Sequence, residues 1–232
     1  MQHAYELSSV PVSTLGVDAR ARFLTRTYTH LFGAIVAFTA FEVFLFQTGL
    51  AEGIARAMLG GSWLLVLGGF MIVSWLATRV AYSARSLAAQ YAALAAFVVA
   101  EGIIFVPLLA VAQAVAPGAI QSAATVTLLG FGGLTAIAFH TRKDFSFLRS
   151  VLQWGGIVAL VLIVAGVIFG FQLGTFFSVA MVAFAGAAVL YDTSNVIHHH
   201  PEDRYVGAAL QLFASIALMF WYVLRIFIAS RD

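Results

Sequence analysis

The chain has 232 residues, of which 62% are hydrophobic and only 9% are charged, with a mean hydropathy of +0.98 and a formal net charge of +2 at pH 7. A soluble domain usually carries about 25% charged residues, so this composition excludes a soluble domain and predicts a protein dissolved in lipid. The small positive excess does not indicate a nucleic-acid partner, and the absence of cysteine excludes disulfides and thiolate metal sites.

Apolar segments account for most of the chain. The N-terminal stretch 1–23 is polar, and we expect no cleavable signal peptide from it. Seven apolar segments follow, at about 28–49, 62–81, 87–112, 119–140, 148–171, 174–196 and 206–228. They are continuously apolar rather than alternating, which favours helices over barrel strands. The sequence therefore predicts an all-α integral membrane protein, a seven-transmembrane-helix bundle at 26–232 preceded by an N-terminal tail at 1–25.

Arginine and lysine are unevenly distributed between the two sides that seven spans would create. Nine lie on the side of the N-terminus: Arg20, Arg22, Arg26, Arg79, Arg85, Arg142, Lys143, Arg149 and Arg204. Three lie on the other side: Arg56, Arg225 and Arg231. Because cytoplasmic loops of membrane proteins are enriched in these residues, we expect the N-terminus in the cytoplasm and the C-terminus outside.

Three acidic residues lie within or at the ends of the predicted spans: Glu42, Glu101 and Asp192. A carboxylate at the bilayer centre costs roughly 2.5–3.5 kcal/mol on insertion scales, and it usually faces the bundle interior or a water-filled cavity. Glu101 is followed by Pro107, which should kink the helix, and this pair favours an ion or proton path. The alternative is a protonated Glu101 bonded to a neighbouring helix. For Glu42 we favour a structural role.

Asp192 opens the stretch DTSN at the predicted end of the sixth segment. Its carboxylate, two hydroxyls and amide suit a hard cation such as calcium, which makes Asp192 a candidate metal ligand. The alternative, equally favoured, is a helix end whose side chains bond the backbone. The three histidines at 198–200 cannot all coordinate one metal ion if they lie in a helix, because consecutive helical residues point about 100° apart. We interpret them as a solvated interfacial cluster that titrates near neutral pH, with metal binding by one or two of them in a loop as the less favoured alternative.

Several functional classes find no support in the sequence. We find no nucleophile–base pair and no metal triad, so we do not expect an enzyme or a resident cofactor. A retinal pump needs a lysine within the last helix, and the only lysine is Lys143, in a loop. A rhomboid-like protease is also not indicated, because His140 lies at a span end and no Gly-x-Ser-x-Gly elbow accompanies it.

Four stretches taken together resemble the Bax inhibitor-1 family, also called the transmembrane Bax inhibitor motif family. They are EG....P at 101–107, TRKDFSFL at 141–148, YDTSNVIHH at 191–199 and the terminal SRD. The resemblance implies a bacterial cytoplasmic-membrane protein with six helices around a central last helix. It implies a pH-sensitive calcium leak channel in which two aspartates on helices six and seven share a proton, Asp192 being the first. It also implies an alternative: a non-transporting regulator that binds a membrane-anchored AAA protease, for which we expect the N-terminal tail to be needed.

The chain departs from this pattern at Ser215, which stands where the resemblance places the second aspartate. No acid lies between Arg204 and Asp232, so two like charges cannot share a proton there. We expect Ser215 to donate a hydroxyl bond to Asp192 and the pH response to be weaker, or to move to Glu101 or the histidines. We further expect Arg79 or Arg85 to pair with Asp192 as a gating lock.

Overall fold

The structure is a computed structural model that describes residues 10–61, 63–84 and 86–230. The described ranges contain eight α-helices: α1 (Val17–Gln47), α2 (Leu50–Gly60), α3 (Trp63–Ser83), α4 (Leu87–Val115), α5 (Ala119–Thr141), α6 (Leu148–Phe169), α7 (Thr175–His198) and α8 (Tyr205–Ala229). Seven of them, all except α2, are long and apolar enough to cross a membrane. The predicted seven-helix membrane fold is therefore confirmed.

Helix α2 lies between the first two spans, where the sequence predicts only a connection. Its buried residues Ala51, Ala55 and Met58 recur at helical spacing, and the helix packs against α4. With 11 residues α2 is too short to cross a membrane, so a search for span-length apolar segments does not detect it.

Helix α1 begins at Val17 and so includes residues 17–25 of the predicted N-terminal tail. The first turns of α1 bury Phe23 and Thr27, which are four residues apart and share one face. Arg22 and Arg26 lie on its exposed face. These arginines lower the hydropathy of the first turns, so the apolar pattern alone does not indicate that residues 17–25 are helical.

Helix α8 is the centre of the bundle. It contacts α1, α3, α4, α5 and α7. Half of its most apolar stretch (50%) is buried inside the protein, as is 56% of that of α4, compared with 11% for each of α3 and α6 at the periphery. The structure therefore has the central last helix that the family resemblance implies.

Gly207 marks the closest approach of α8 to α3. A Cβ added at Gly207 would lie 3.1 Å from the backbone carbonyl oxygen of Ala81, which cannot move without shifting α3. We expect Gly207→Ala to destabilise the protein by about 1–3 kcal/mol, measured as a lower midpoint of thermal unfolding in detergent. Gly132→Ala on α5 is the matched control, because a Cβ there meets nothing within 4 Å. Equal midpoints for the two variants would contradict this close helix crossing.

One end of the bundle, which we call the charged end, gathers the segments 10–16, 142–147 and 199–204 and residues 84 and 86. The backbone N–H of Val12 donates to the carbonyl oxygen of His200 at 2.9 Å. Asp144 pairs with His199 at 3.5 Å, and the N–H of Ser146 donates to Asp144 at 2.8 Å. This hydrogen bond is the main reason why the pKa of Asp144 lies below its ordinary value. The loops at the charged end are thus tied to one another.

Candidate functional site

Asp192 lies inside α7, more than one turn before the helix ends at His198, and it is 5% exposed. Its carboxylate bonds side chains of α8: the Gln211 amide donates to Oδ1 and the Ser215 hydroxyl donates to Oδ2. The stretch DTSN is therefore helical and not a helix end, and Asp192 bonds no backbone group there. The expected hydroxyl bond from Ser215 is present.

The hydrogen bonds continue from Asp192 toward the charged end. The hydroxyl of Tyr82 on α3 bonds the side-chain oxygen of Gln211 and lies 3.1 Å from Nε2 of His200. Nδ1 of His200 lies 3.0 Å from the carbonyl oxygen of Asn195. We call this set of side chains the Asp192 network: Asp192, Ser215, Gln211, Tyr82 and His200. It joins α3, α7 and α8 across the bundle.

The prediction of a solvated histidine cluster is wrong for His200, whose buried side chain joins the Asp192 network. It is 7% exposed, and burial holds its pKa below the ordinary value against the opposing effect of the Asn195 hydrogen bond. His199 instead faces Asp144. Within the described ranges, no group of three or more histidine or acidic side chains could hold a metal ion. A calcium-ligating role for Asp192 therefore stays a prediction.

A cavity of about 790 Å³ lies between α3, α4, α6 and α8. Along α3 it extends from Trp63 to Thr78, a helical rise of about 22 Å. Most of its lining is apolar or aromatic, and Glu101 and Arg225 are its charged lining residues. Glu101 is 7% exposed, and its carboxyl group has no hydrogen bond or ion pair to any described residue. Helix α4 continues through Pro107, which does not line this cavity.

The cavity ends next to the Asp192 network. Thr78, which lines it, precedes Tyr82 by four residues on the same face of α3. Ala214, which also lines it, is the neighbour of Ser215 on α8. About one helical turn thus separates the cavity from the network, and the network lies between the cavity and the charged end.

The structure does not bring the remaining predicted residues to Asp192. Arg79 is exposed, with its guanidinium carbon 5.2 Å from the ring centroid of Trp75. No ion pair between described residues joins it to Asp192. Arg85 lies outside the described residues. Glu42 lies on α1 and lines a separate cavity of about 450 Å³, and both of its carboxyl oxygens are buried without a hydrogen-bond partner in the described part of the chain.

The sequence analysis missed Gln211 and Tyr82. Gln211 precedes Ser215 by four residues, so the two lie on one face of α8 and form a short polar stripe in a mostly apolar helix. This polar stripe in the sequence could have indicated a polar contact across the bundle. Tyr82 carries no comparable signal, because a tyrosine near a span end is common at membrane interfaces.

Comparison with known proteins identifies the family to which this architecture belongs. The family model described as "Inhibitor of apoptosis-promoting Bax1" matches residues 20–232. The chain belongs to this family, the Bax inhibitor-1 family. The resemblance found in the sequence motifs is thereby confirmed, and the chain is a multi-pass membrane protein of that family.

Individual relatives in the Bax inhibitor-1 family match part of the chain. An uncharacterized protein of Pseudomonas aeruginosa is 39% identical over 117 residues, which cover 49% of this chain and 51% of the relative. The "Modulator of FtsH protease YccA" of Escherichia coli is 35% identical over 108 residues, 46% of this chain and 49% of the relative. "Protein LIFEGUARD 4" of Arabidopsis thaliana is 32% identical over 120 residues, which cover 48% of this chain and 47% of the relative. The chain thus spans about half the length of the curated relatives that it matches.

Proposed function

We propose that this Bax inhibitor-1 family member is a pH-sensitive leak channel for cations, with calcium as the permeant ion, in a bacterial cytoplasmic membrane. One observation carries the proposal. A long cavity that contains the buried carboxyl group of Glu101 ends about one turn from a second buried carboxyl group, that of Asp192. In the proposed membrane orientation, the arginine-rich charged end faces the cytoplasm and the C-terminus lies outside.

The cavity supplies most of a path across the membrane. Its rise of about 22 Å along α3 compares with about 30 Å for the hydrocarbon core. A cation within it loses water and needs a compensating negative charge, which Glu101 provides. The path is closed at its cytoplasmic end, where both oxygens of Asp192 are bonded to α8. The gate opens when these bonds break and Asp192 turns toward the ion.

The role of Glu101 is tested by Glu101→Gln, which keeps the shape of the side chain and removes its charge. We expect calcium influx into dye-loaded liposomes at pH 8 to fall by about fivefold or more, because removing a carboxylate from an apolar cavity raises the barrier by about 1 kcal/mol or more. Glu52→Gln is the control, since Glu52 is exposed on α2 and does not line the cavity. Equal influx through the two variants would exclude Glu101 from the path.

The alternative is a non-transporting regulator that binds a membrane-anchored protease. It is supported by the name of the Escherichia coli relative, a modulator of FtsH protease. In this function the charged end is the surface that a cytoplasmic protease domain would meet, and the N-terminal segment docked on it at Val12 is the part nearest to such a partner. Asp192→Asn separates the two functions, because it alters the ion path and leaves this surface in place. We propose neither enzymatic activity nor a resident cofactor.

A further inference from the structure

The protons of the Asp192 network must be distributed so that every hydrogen bond has one donor. The carbonyl oxygen of Asn195 can only accept, so Nδ1 of His200, 3.0 Å away, carries a proton. The Tyr82 hydroxyl has a single proton, but it faces two groups, the Gln211 side chain and Nε2 of His200. Tyr82 cannot donate to both, so one of these neighbours donates to Tyr82.

Two arrangements satisfy all of these contacts. In the first, Tyr82 donates to the oxygen of Gln211 and Nε2 of His200 donates to Tyr82; His200 is then a cation and Asp192 a carboxylate. In the second, the Gln211 amide is turned over, so its NH₂ donates to Tyr82, which donates to a neutral His200. The Gln211 oxygen then faces Asp192, which must hold a proton to donate to it. Ser215 donates to the other Asp192 oxygen in both arrangements.

Both arrangements place one proton on the pair formed by Asp192 and His200. When that proton is absent, His200 is neutral and Asp192 is charged. The Tyr82 hydroxyl then faces two acceptors, the Gln211 oxygen and Nε2 of His200, and it can donate to only one of them. Turning the Gln211 amide does not help, because its oxygen would then face a carboxylate. A buried acceptor without a donor is unfavourable. The network is therefore complete with one shared proton and incomplete without it.

We propose that Asp192 and His200 share one titratable proton through Gln211 and Tyr82, and that this proton keeps the Asp192 network closed. The claim that this proton regulates a channel rests on the function proposed above. The sharing of the proton does not depend on whether the protein conducts ions. His200 thus shares the proton of Asp192 in place of the second aspartate, which the family resemblance leads one to expect at residue 215. Rising pH removes the shared proton and opens the gate.

The surroundings of the pair are consistent with this assignment. The titratable or charged groups on the elements packed around it are Arg20 and Tyr28 of α1, Tyr82 of α3, Tyr191 and His198 of α7, His199 after it, Asp144 of the 142–147 loop and Arg204 before α8. The positive charge that His199 can carry is offset by Asp144. Burial lowers the pKa of His200, and its hydrogen bond to Asn195 opposes this effect.

Histidine ¹⁵N NMR of the full-length protein in detergent tests the sharing directly. The chain has six histidines, and the His200 resonance is identified as the one lost in His200→Gln. Asp192→Asn removes the carboxylate that accompanies a cationic His200, and its amide can donate to Gln211 when His200 is neutral, so the neutral histidine is favoured. We expect the titration midpoint of His200 to fall by about one pH unit or more, the size typical of coupled sites.

The connecting role of Tyr82 is tested by repeating Asp192→Asn in a Tyr82→Phe background. The midpoint of His200 should then move by no more than about 0.3 pH unit, the scatter of independent sites. Tyr91→Phe is the matched control background, because it removes the hydroxyl of an exposed tyrosine that lies 2.7 Å from Nε2 of His30; the full shift should persist there. Circular dichroism checks that each variant is folded.

The outcomes separate this inference from the channel function. A His200 midpoint unmoved by Asp192→Asn, or moved equally in the Tyr82→Phe background, overturns the shared proton even if the protein conducts calcium. A shift that depends on Tyr82 in a protein without calcium flux supports the shared proton and overturns the channel.

Discussion

Calcium influx through Asp192→Asn is expected to stay low from pH 6 to pH 8, whereas influx through the unmodified protein rises over this range. The physical reason is the donor count of the Asp192 network. An amide at position 192 donates to Gln211 without holding a titratable proton, so the bonds to Gln211, Tyr82 and His200 stay complete at high pH. The substitution therefore removes the pH dependence by fixing the closed state.

The expected difference at pH 8 is about tenfold or more. A buried hydrogen-bonding group left unsatisfied costs about 1–3 kcal/mol, and about 1.4 kcal/mol is a factor of ten in an open–closed equilibrium. Dye-loaded liposomes report the influx rate. Asp18→Asn is the control, since Asp18 is exposed in the first turn of α1. If influx through Asp192→Asn rose with pH as it does in the unmodified protein, Asp192 would not be the gating carboxyl group.

Tyr82→Phe should have the opposite effect and raise influx at pH 6 to near the level of the unmodified protein at pH 8. The ring is kept, but the hydroxyl that joins Gln211 to His200 is lost. The network is then incomplete whether or not the shared proton is present, and α3 is no longer tied to α8 at this level.

The same cost of an unsatisfied buried group sets the size of this effect at about tenfold at pH 6. Stopped-flow dye fluorescence of the same liposomes measures it, with Tyr91→Phe as the control for loss of a tyrosine hydroxyl bonded to a histidine. An influx that is low at pH 6 and rises normally with pH in Tyr82→Phe would show that the hydrogen bond between α3 and α8 does not hold the gate.

The spans of this protein could be predicted from the sequence because lipid imposes a simple rule. A segment that crosses the membrane must be long, apolar and helical, and all seven predicted segments correspond to such helices. The two departures have local causes. Helix α2 is short and half-exposed, and the start of α1 is hidden by arginines on an exposed helix face.

The site could be predicted only in part. The contact between Asp192 and Ser215 follows from aligning two motifs of a known family on one chain. The link to His200 does not, because Tyr82 and Gln211 meet only where α3 crosses α8. That crossing depends on the absence of a side chain at Gly207, one turn before Gln211, opposite Ala81. Such a close approach between two helices depends on three-dimensional packing, and no periodic pattern in the sequence indicates it.

The most direct test of the account is calcium influx through the unmodified protein in dye-loaded liposomes at pH 6, 7 and 8. We expect slow calcium influx at pH 6 and faster influx toward pH 8, because the proton shared by Asp192 and His200 is lost as the pH rises. Influx that is absent at every pH, in protein whose circular dichroism shows an intact helical fold, would contradict the channel function and leave the protease regulator as the function to pursue.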